Sequence, residues 1–237
     1  MCQLLGMNCN TPTDIGFSFT GFRQRGGGTD HHEDGFGIAF FERGETGKIG
    51  LRQFHDHQPP HLSPVAGLLN QYNGQMADSF LPRTERLPDN GNAEHYSPLG
   101  TTDSELAFCY LLNRLKATFK SRPSDEALFA FLTAQCRYLS ANGLFNCLIS
   151  NGNWQLAYAG SLLFYLTRKA PFGEAHLSDG EMSVNFGDVT TSKDKVTILV
   201  TIPLTTNEKW QQIAVDECVV FQDGDVVFKD TPSKKTY

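Results

Sequence analysis

Residues 144–160 read LFNCLISNGNWQLAYAG, two apolar-rich runs separated by Asn151-Gly152. Each run is strand-length and rich in β-formers, and Asn-Gly accepts the positive φ angles of a tight turn, so a β-hairpin closed by a type I′ turn is predicted. Everything after Gly143 continues in this manner. LLFYLTR (162–168), KVTILVTI (195–202) and CVVFQDGDVVFKD (218–230) read as further strands, the last folded back at Asp223-Gly224. Immediately before the hairpin the period changes to that of helices. In TTDSELAFCYLLNRLKATFK (101–120), Leu106, Cys109, Tyr110, Leu112 and Leu115 fall mostly on one face, and Thr102 with Glu105 has capping-box spacing. In SDEALFAFLTAQCRYLSANG (124–143), Ser124 caps the start and Gly143 ends the helix. Two antiparallel helices packed on one antiparallel sheet define an α+β chain built in layers.

Working back to the start, MCQLLGMNCN (1–10) contains a short buried strand, and PTDIGFSFTGFRQR (12–25) a helix that begins at Pro12 and Asp14 and stops at Gly26-Gly27-Gly28. GFGIAFF (35–41) and KIGLRQF (48–54) make two strands, and Ser63-Pro64 opens a short helix through Leu69. No repeat, low-complexity tract or linker interrupts the chain, so one domain over residues 1–237 is expected. The tail PSKKTY (232–237) reads as frayed.

Charged residues make up 19% of the chain and the net charge is -6, with both signs interspersed, so neither a nucleic-acid-binding nor a membrane-binding patch is expected. No apolar run approaches the ~20 residues of a membrane span, and the beginning lacks the basic and apolar segments of a signal peptide. A soluble, cytoplasmic protein follows. The six cysteines, at 2, 9, 109, 136, 147 and 218, are widely spaced and are expected to stay reduced.

Cys2 stands apart from the other five. With Met1 removed, its thiol and a free α-amine would share one carbon, and that amine, with an ordinary pKa of about 7.7–8.0, is a general base at working pH. Nucleophile and base would then reside in one residue, with no histidine needed from elsewhere. A buried structural thiol is the plainer reading of position alone.

The stretch MCQLLGMNCNTPTDIGFSFTGFRQRGGGTDHHEDGFGIAFFE (1–42) resembles the start of class II glutamine amidotransferase domains, especially small stand-alone bacterial ones. PLGTTDSELAFC (98–109), GLFNCLISNG (143–152), TRKAPFG (167–173) and IPLTTNEKW (202–210) extend the likeness over nearly the whole chain. The resemblance implies an N-terminal-nucleophile hydrolase: a four-layer αββα sandwich of two stacked antiparallel sheets. It implies that Cys2 attacks a γ-carboxamide, that ammonia leaves, and that water hydrolyses the thioester to release glutamate. Asp103 matches the carboxylate that holds the substrate α-ammonium, although an acid at a helix start is also favoured by the macrodipole. Asn73 and Gly74 match the turn whose amide and N–H form an oxyanion hole, although Asn-Gly also marks ordinary turns. Arg25 matches an arginine that supports the N-terminal segment in relatives and is placed with Asp103 among the substrate-binding residues, with a surface arginine as the alternative.

The chain departs from the family at one place. SPVAGLLNQY (63–72) runs directly into NGQMADSF (73–80), where relatives carry a few dozen residues, including an arginine for the substrate carboxylate and a strand feeding the oxyanion turn. That arginine has no match. His31-His32-Glu33 and His55-Asp56-His57 contain metal-ligand types, but solvated strand ends are the plainer reading, and neither a metal nor a cofactor is expected. The implied partner is a small molecule, glutamine or another γ-glutamyl compound, with an ammonia-accepting or synthase subunit as a further possibility. A γ-glutamyl peptide hydrolase and a non-catalytic binding or regulatory subunit with the same fold are the alternatives.

Overall fold

Strand β1 (Leu5–Cys9) is buried along its whole length and shows how the layers are made. Its odd residues Leu5, Met7 and Cys9 lie in a cluster with Ile15, Phe19 and Phe22 of the first helix region. Gly6, between them, faces the other way: a Cβ there would meet the Gln155 amide and stand 2.8 Å from Leu148 Cδ1 on a second sheet. This is the alternation of a strand buried on both faces. The protein was analysed as a computed structural model, which describes residues 3–31, 35–43, 47–69, 75–77, 96–98 and 102–232.

After β1 come α1 (Gly16–Gln24), β2 (Phe36–Arg43), β3 (Ile49–Asp56), α2 (Pro64–Leu69) and β4 (Gln75–Ala77). The long helices α3 (Asp103–Thr118) and α4 (Asp125–Ser140) lead to β5 (Asn146–Ser150), β6 (Trp154–Ala159) and β7 (Phe164–Lys169). The chain continues through β8 (Glu174–His176), β9 (Ser183–Asn185), β10 (Lys195–Val200), β11 (Gln211–Gln212), β12 (Glu217–Gln222) and β13 (Asp225–Asp230). One sheet runs β11-β7-β10-β1-β4-β2-β3, a second β13-β12-β6-β5, and β8-β9 form a separate ribbon. The pairings are antiparallel throughout.

Three clusters stack these elements. The outer face of the seven-stranded sheet packs on α1 and on Ala66 of α2. Between the sheets, Leu4 and Leu199 meet Leu148, Ala157, Ala159, Val219 and Phe221. On the far side, Trp154, Leu156, Tyr158, Cys218 and Val220 take Ala107 and Leu111 of α3 and Phe129, Leu132, Cys136 and Leu139 of α4. The order helix, sheet, sheet, helix is the expected αββα sandwich.

Local details differ from the sequence reading. The 144–160 hairpin forms, with Ser150 opposite Gln155, but its turn is not type I′: Gly152 has φ +85° while Asn151 is not in the positive region. Asn151 works through its side chain, its Oδ1 accepting the N–H groups of Asn153 (3.0 Å) and Trp154 (3.2 Å), the alternative use of asparagine in turns. The two-residue I′ geometry occurs instead at Asp223 (φ +52°) and Gly224 (φ +78°), between the paired Gln222 and Asp225. Helix α1 starts at Gly16, with Asp14 outside it accepting the Gly16 N–H at 2.6 Å. Helix α3 buries Ala107 and Leu111 rather than the stripe of larger residues, and Leu106 is 41% exposed. Its small residue allows close seating on the sheet, which a count of large apolar side chains does not register. Residues 233–237 of the tail lie outside the described residues.

Candidate active site

Four independent contacts fix one end of the sandwich. Leu4 donates its N–H to Thr201 Oγ1 at 2.8 Å, and Thr201 returns its own N–H to the Leu4 carbonyl at 3.3 Å. The Thr201 hydroxyl donates to Gln3 Oε1 (3.0 Å), and Gln3 Nε2 donates to Asp30 (3.1 Å). The beginning of the chain is thereby held beside the C-terminal end of β10. Thr201 lies within KVTILVTI, where periodicity reads only apolar strand, so this anchoring role had no signal beyond its position.

At the same end the chain crosses between sheets. Residues 160–163 link the last residue of β6 to the first of β7, which pairs with Val200. Asn146, 3% exposed, clamps this crossover: its Oδ1 accepts from Gly160 and Ser161 N–H, both at 2.9 Å, and its Nδ2 donates to Ser161 Oγ (2.9 Å) and Leu162 O (3.0 Å). Every hydrogen-bonding position of this amide is engaged.

Asp103 also belongs to this end. Helices α3 and α4 run antiparallel, as the ring pairs Tyr110–Tyr138 (5.8 Å) and Phe119–Phe131 (5.4 Å) show, so the start of α3 lies by the end of α4. The end of α4 in turn abuts the crossover, since a Cβ on Gly160 would stand 2.9 Å from Ser140 Oγ. Thr102 caps α3 through its hydroxyl, which accepts the Glu105 N–H at 3.3 Å. Asp103 Oδ1 accepts the Ser104 N–H at 2.8 Å. Its Oδ2 is buried and has no hydrogen-bond partner among the described residues. A buried carboxylate oxygen without a donor is costly, so this atom is suited to a cationic ligand group.

Arg25, 4% exposed, is fully engaged elsewhere. Its Nε donates to Asp179 (2.7 Å), and Nη1 and Nη2 donate to the carbonyls of Ile202 (2.6 Å) and Pro203 (2.7 Å). The guanidinium thus ties the end of α1 to the segment following Thr201. Cys2, Asn73 and Gly74 lie outside the described residues. The register of β4 is nevertheless informative: Ala77 stands opposite Gly6 on an antiparallel partner, so β4 begins toward the Cys9 end of β1. Among the described residues, no three His, Cys, Asp or Glu side chains converge as metal ligands do. His55 pairs with Gln53 at 2.6 Å, and Asp56 accepts from Ser63 and from Gln58 N–H.

Three of the described thiols, Cys9, Cys136 and Cys218, are unsuited to nucleophilic work. Burial pushes Cys9 and Cys218 up to about 12, and Cys136 rises well above the ordinary range through its contact with Cys147 (3.6 Å) and burial. No helix among the described residues is long and apolar enough to cross a membrane.

A four-layer αββα sandwich of two stacked antiparallel sheets is the fold of N-terminal-nucleophile-type proteins. The chain belongs to the class II glutamine amidotransferase family, which matches residues 1–81 and 72–236. It is 41% identical over 258 residues to a Haemophilus influenzae protein named "Putative glutamine amidotransferase", covering 96% of this chain and 86% of that one. It is 40% identical over 259 residues to the Escherichia coli K12 protein named "Putative glutamine amidotransferase YafJ", covering 96% and 100%. The crystal structure of a "predicted glutamine amidotransferase" from Pseudomonas aeruginosa PA01 superposes with a TM-score of 0.65 at 34% identity, over 96% of this chain and 100% of that one. Both alignments to the named relatives span more positions than the 237 residues present here, and the family match is broken near residues 72–81. This agrees with the family segment that finds no counterpart between Tyr72 and Asn73.

Proposed function

We propose that this protein is a stand-alone amidohydrolase that releases glutamate from glutamine or a related γ-glutamyl amide through Cys2. The observation that carries the proposal is the buried Oδ2 of Asp103, without a partner among the described residues, at the end of the sandwich that holds Gln3 and Leu4. An α-ammonium group supplies the missing donor, and a substrate so held presents its γ-carboxamide toward the first residues. After loss of Met1, the α-amine of Cys2 accepts the thiol proton while sulfur attacks the carboxamide carbon. The resemblance assigns the developing oxyanion to Asn73 and Gly74, ~2.7–4 kcal/mol for one such donor, an assignment that the β4 register does not support because β4 begins toward the Cys9 end of β1, away from Leu4. Collapse of the tetrahedral adduct expels ammonia with the proton held by the amine, and water then hydrolyses the thioester. Arg25 acts indirectly, keeping the 202–203 wall in place.

A second reading, a binding or regulatory subunit without turnover, is favoured by the β4 register and the absent carboxylate-binding arginine. The experiment that separates the two is glutamate release measured on a panel of γ-glutamyl amides and peptides. The hydrolase reading expects turnover of at least one member and its loss in Cys2→Ala at unchanged melting temperature. Saturable binding without turnover of any member would establish the subunit reading. The panel also distinguishes an amidase from a γ-glutamyl peptide hydrolase.

A further inference from the structure

A cavity of about 470 Å³ lies at the opposite end of β1 from the candidate active site, between the start of α1, the start of β10 and the β8–β9 ribbon. Its volume is in the range of small-molecule sites. Met7, Phe17, Phe172, Val184 and Phe186 make its walls mainly apolar, and Val189, 72% exposed, stands among the lining residues.

The polar groups of this cavity are unequally satisfied. Asp14 and Asp194 are occupied by local donors: Asp14 by the Gly16 N–H, and Asp194 by Thr11 Oγ1 (3.1 Å) and the Thr191 N–H (2.7 Å). Lys195 is paired with Asp225 at 2.6 Å. Asp14 Oδ2 is left over as an acceptor at the exposed side of the cavity, and the other groups left over are donors. Arg168, 8% exposed, gives Nε and Nη2 to Glu208 at 2.8 and 2.6 Å and lies over the Phe186 ring at 4.3 Å, while its Nη1 has no acceptor among the described residues. Ser18 lines the cavity, is 3% exposed, and its hydroxyl has no partner among the described residues. Helix α1 has no side-chain cap and no acidic residue in its first turn, which leaves the N–H groups of Phe17 and Ser18 without acceptors among the described residues. Unpartnered donors facing the cavity at a helix start, beside an arginine and within apolar walls, suit an anionic acceptor on an apolar body.

We propose that this cavity is a second binding site, taking a small apolar carboxylate whose carboxylate meets Arg168 Nη1, the Ser18 hydroxyl and the start of α1. The site does not involve Cys2, so its occupancy is independent of the proposed hydrolysis.

The test uses the full chain carrying methyl-labelled methionine, titrated with 4-phenylbutyrate and with its primary amide. Met7 and Met182 line the cavity, so their methyl signals should shift saturably with the acid. The acid should bind at least ~10-fold tighter than the amide. Val184→Phe, which fills the cavity, should weaken binding at least ~10-fold, and Ser18→Ala by roughly 5-fold. Cys2→Ala should bind as the unaltered chain does. Absence of any shift up to ~10 mM acid, equal affinity for acid and amide, or undiminished binding in both cavity variants would overturn the proposal.

Discussion

The chemistry rests on a few side chains whose surroundings, rather than identities, give them meaning. Asp103 occupies a position any helix would favour for an acid, and the sequence leaves capping and ligand binding equally open. The geometry favours the second: Thr102 supplies the cap, and Asp103 keeps one buried oxygen without a donor among the described residues. Asp103→Asn should therefore raise KM by roughly 10- to 150-fold, the equivalent of one charge-assisted hydrogen bond, with a much smaller change in kcat. Steady-state kinetics on the best γ-glutamyl substrate provide the check. A lowered melting temperature with unchanged KM would assign the residue to the helix alone. Arg25 illustrates the reverse case, a charged residue legible as conspicuous in RQRGGG whose contacts are all with the protein.

At the level of elements, periodicity revealed which segments are strands and helices because burial on two sheet faces leaves long apolar runs. It could not reveal side-chain turn chemistry, so Asn151-Gly152 and Asp223-Gly224 read alike while only the second adopts two positive φ angles. The ribbon β8–β9 and the short β4 and β11 escaped notice because three or two residues carry no periodic signal. Sheet-on-sheet contact was also invisible, since it depends on what a missing side chain allows. Gly6 admits the Gln155 amide and Leu148, and Gln155, 1% exposed, has neither amide atom paired among the described residues. Gly6→Ala should force these layers apart and cost about 1–3 kcal/mol, lowering the melting temperature by roughly 3–10 °C. An unchanged melting temperature would show that the interface has slack.

For the whole molecule, buried thiols set the alkaline limit. Cys9 and Cys218 titrate near 12 in the folded chain against 9.0 when exposed, and burial also raises Tyr158. Below the unfolded value both states retain the thiol protons and stability is unaffected. Above it the unfolded chain releases protons that the folded one keeps, so stability should fall as pH climbs from about 9 toward 12, at roughly 1.4 kcal/mol per pH unit for each thiol. Urea midpoints should be flat near neutral pH and decline beyond ~9; a midpoint that holds would mean those thiols are accessible. The same burial bears on the central claim, that the mature chain begins at Cys2 and uses that thiol on a γ-glutamyl carbonyl. The direct measurement is mass spectrometry of the protein after treatment with an electrophilic glutamine analogue. The account predicts a chain without Met1 bearing one adduct, on Cys2. A chain that keeps Met1 yet releases glutamate, or an adduct on another cysteine, would contradict it.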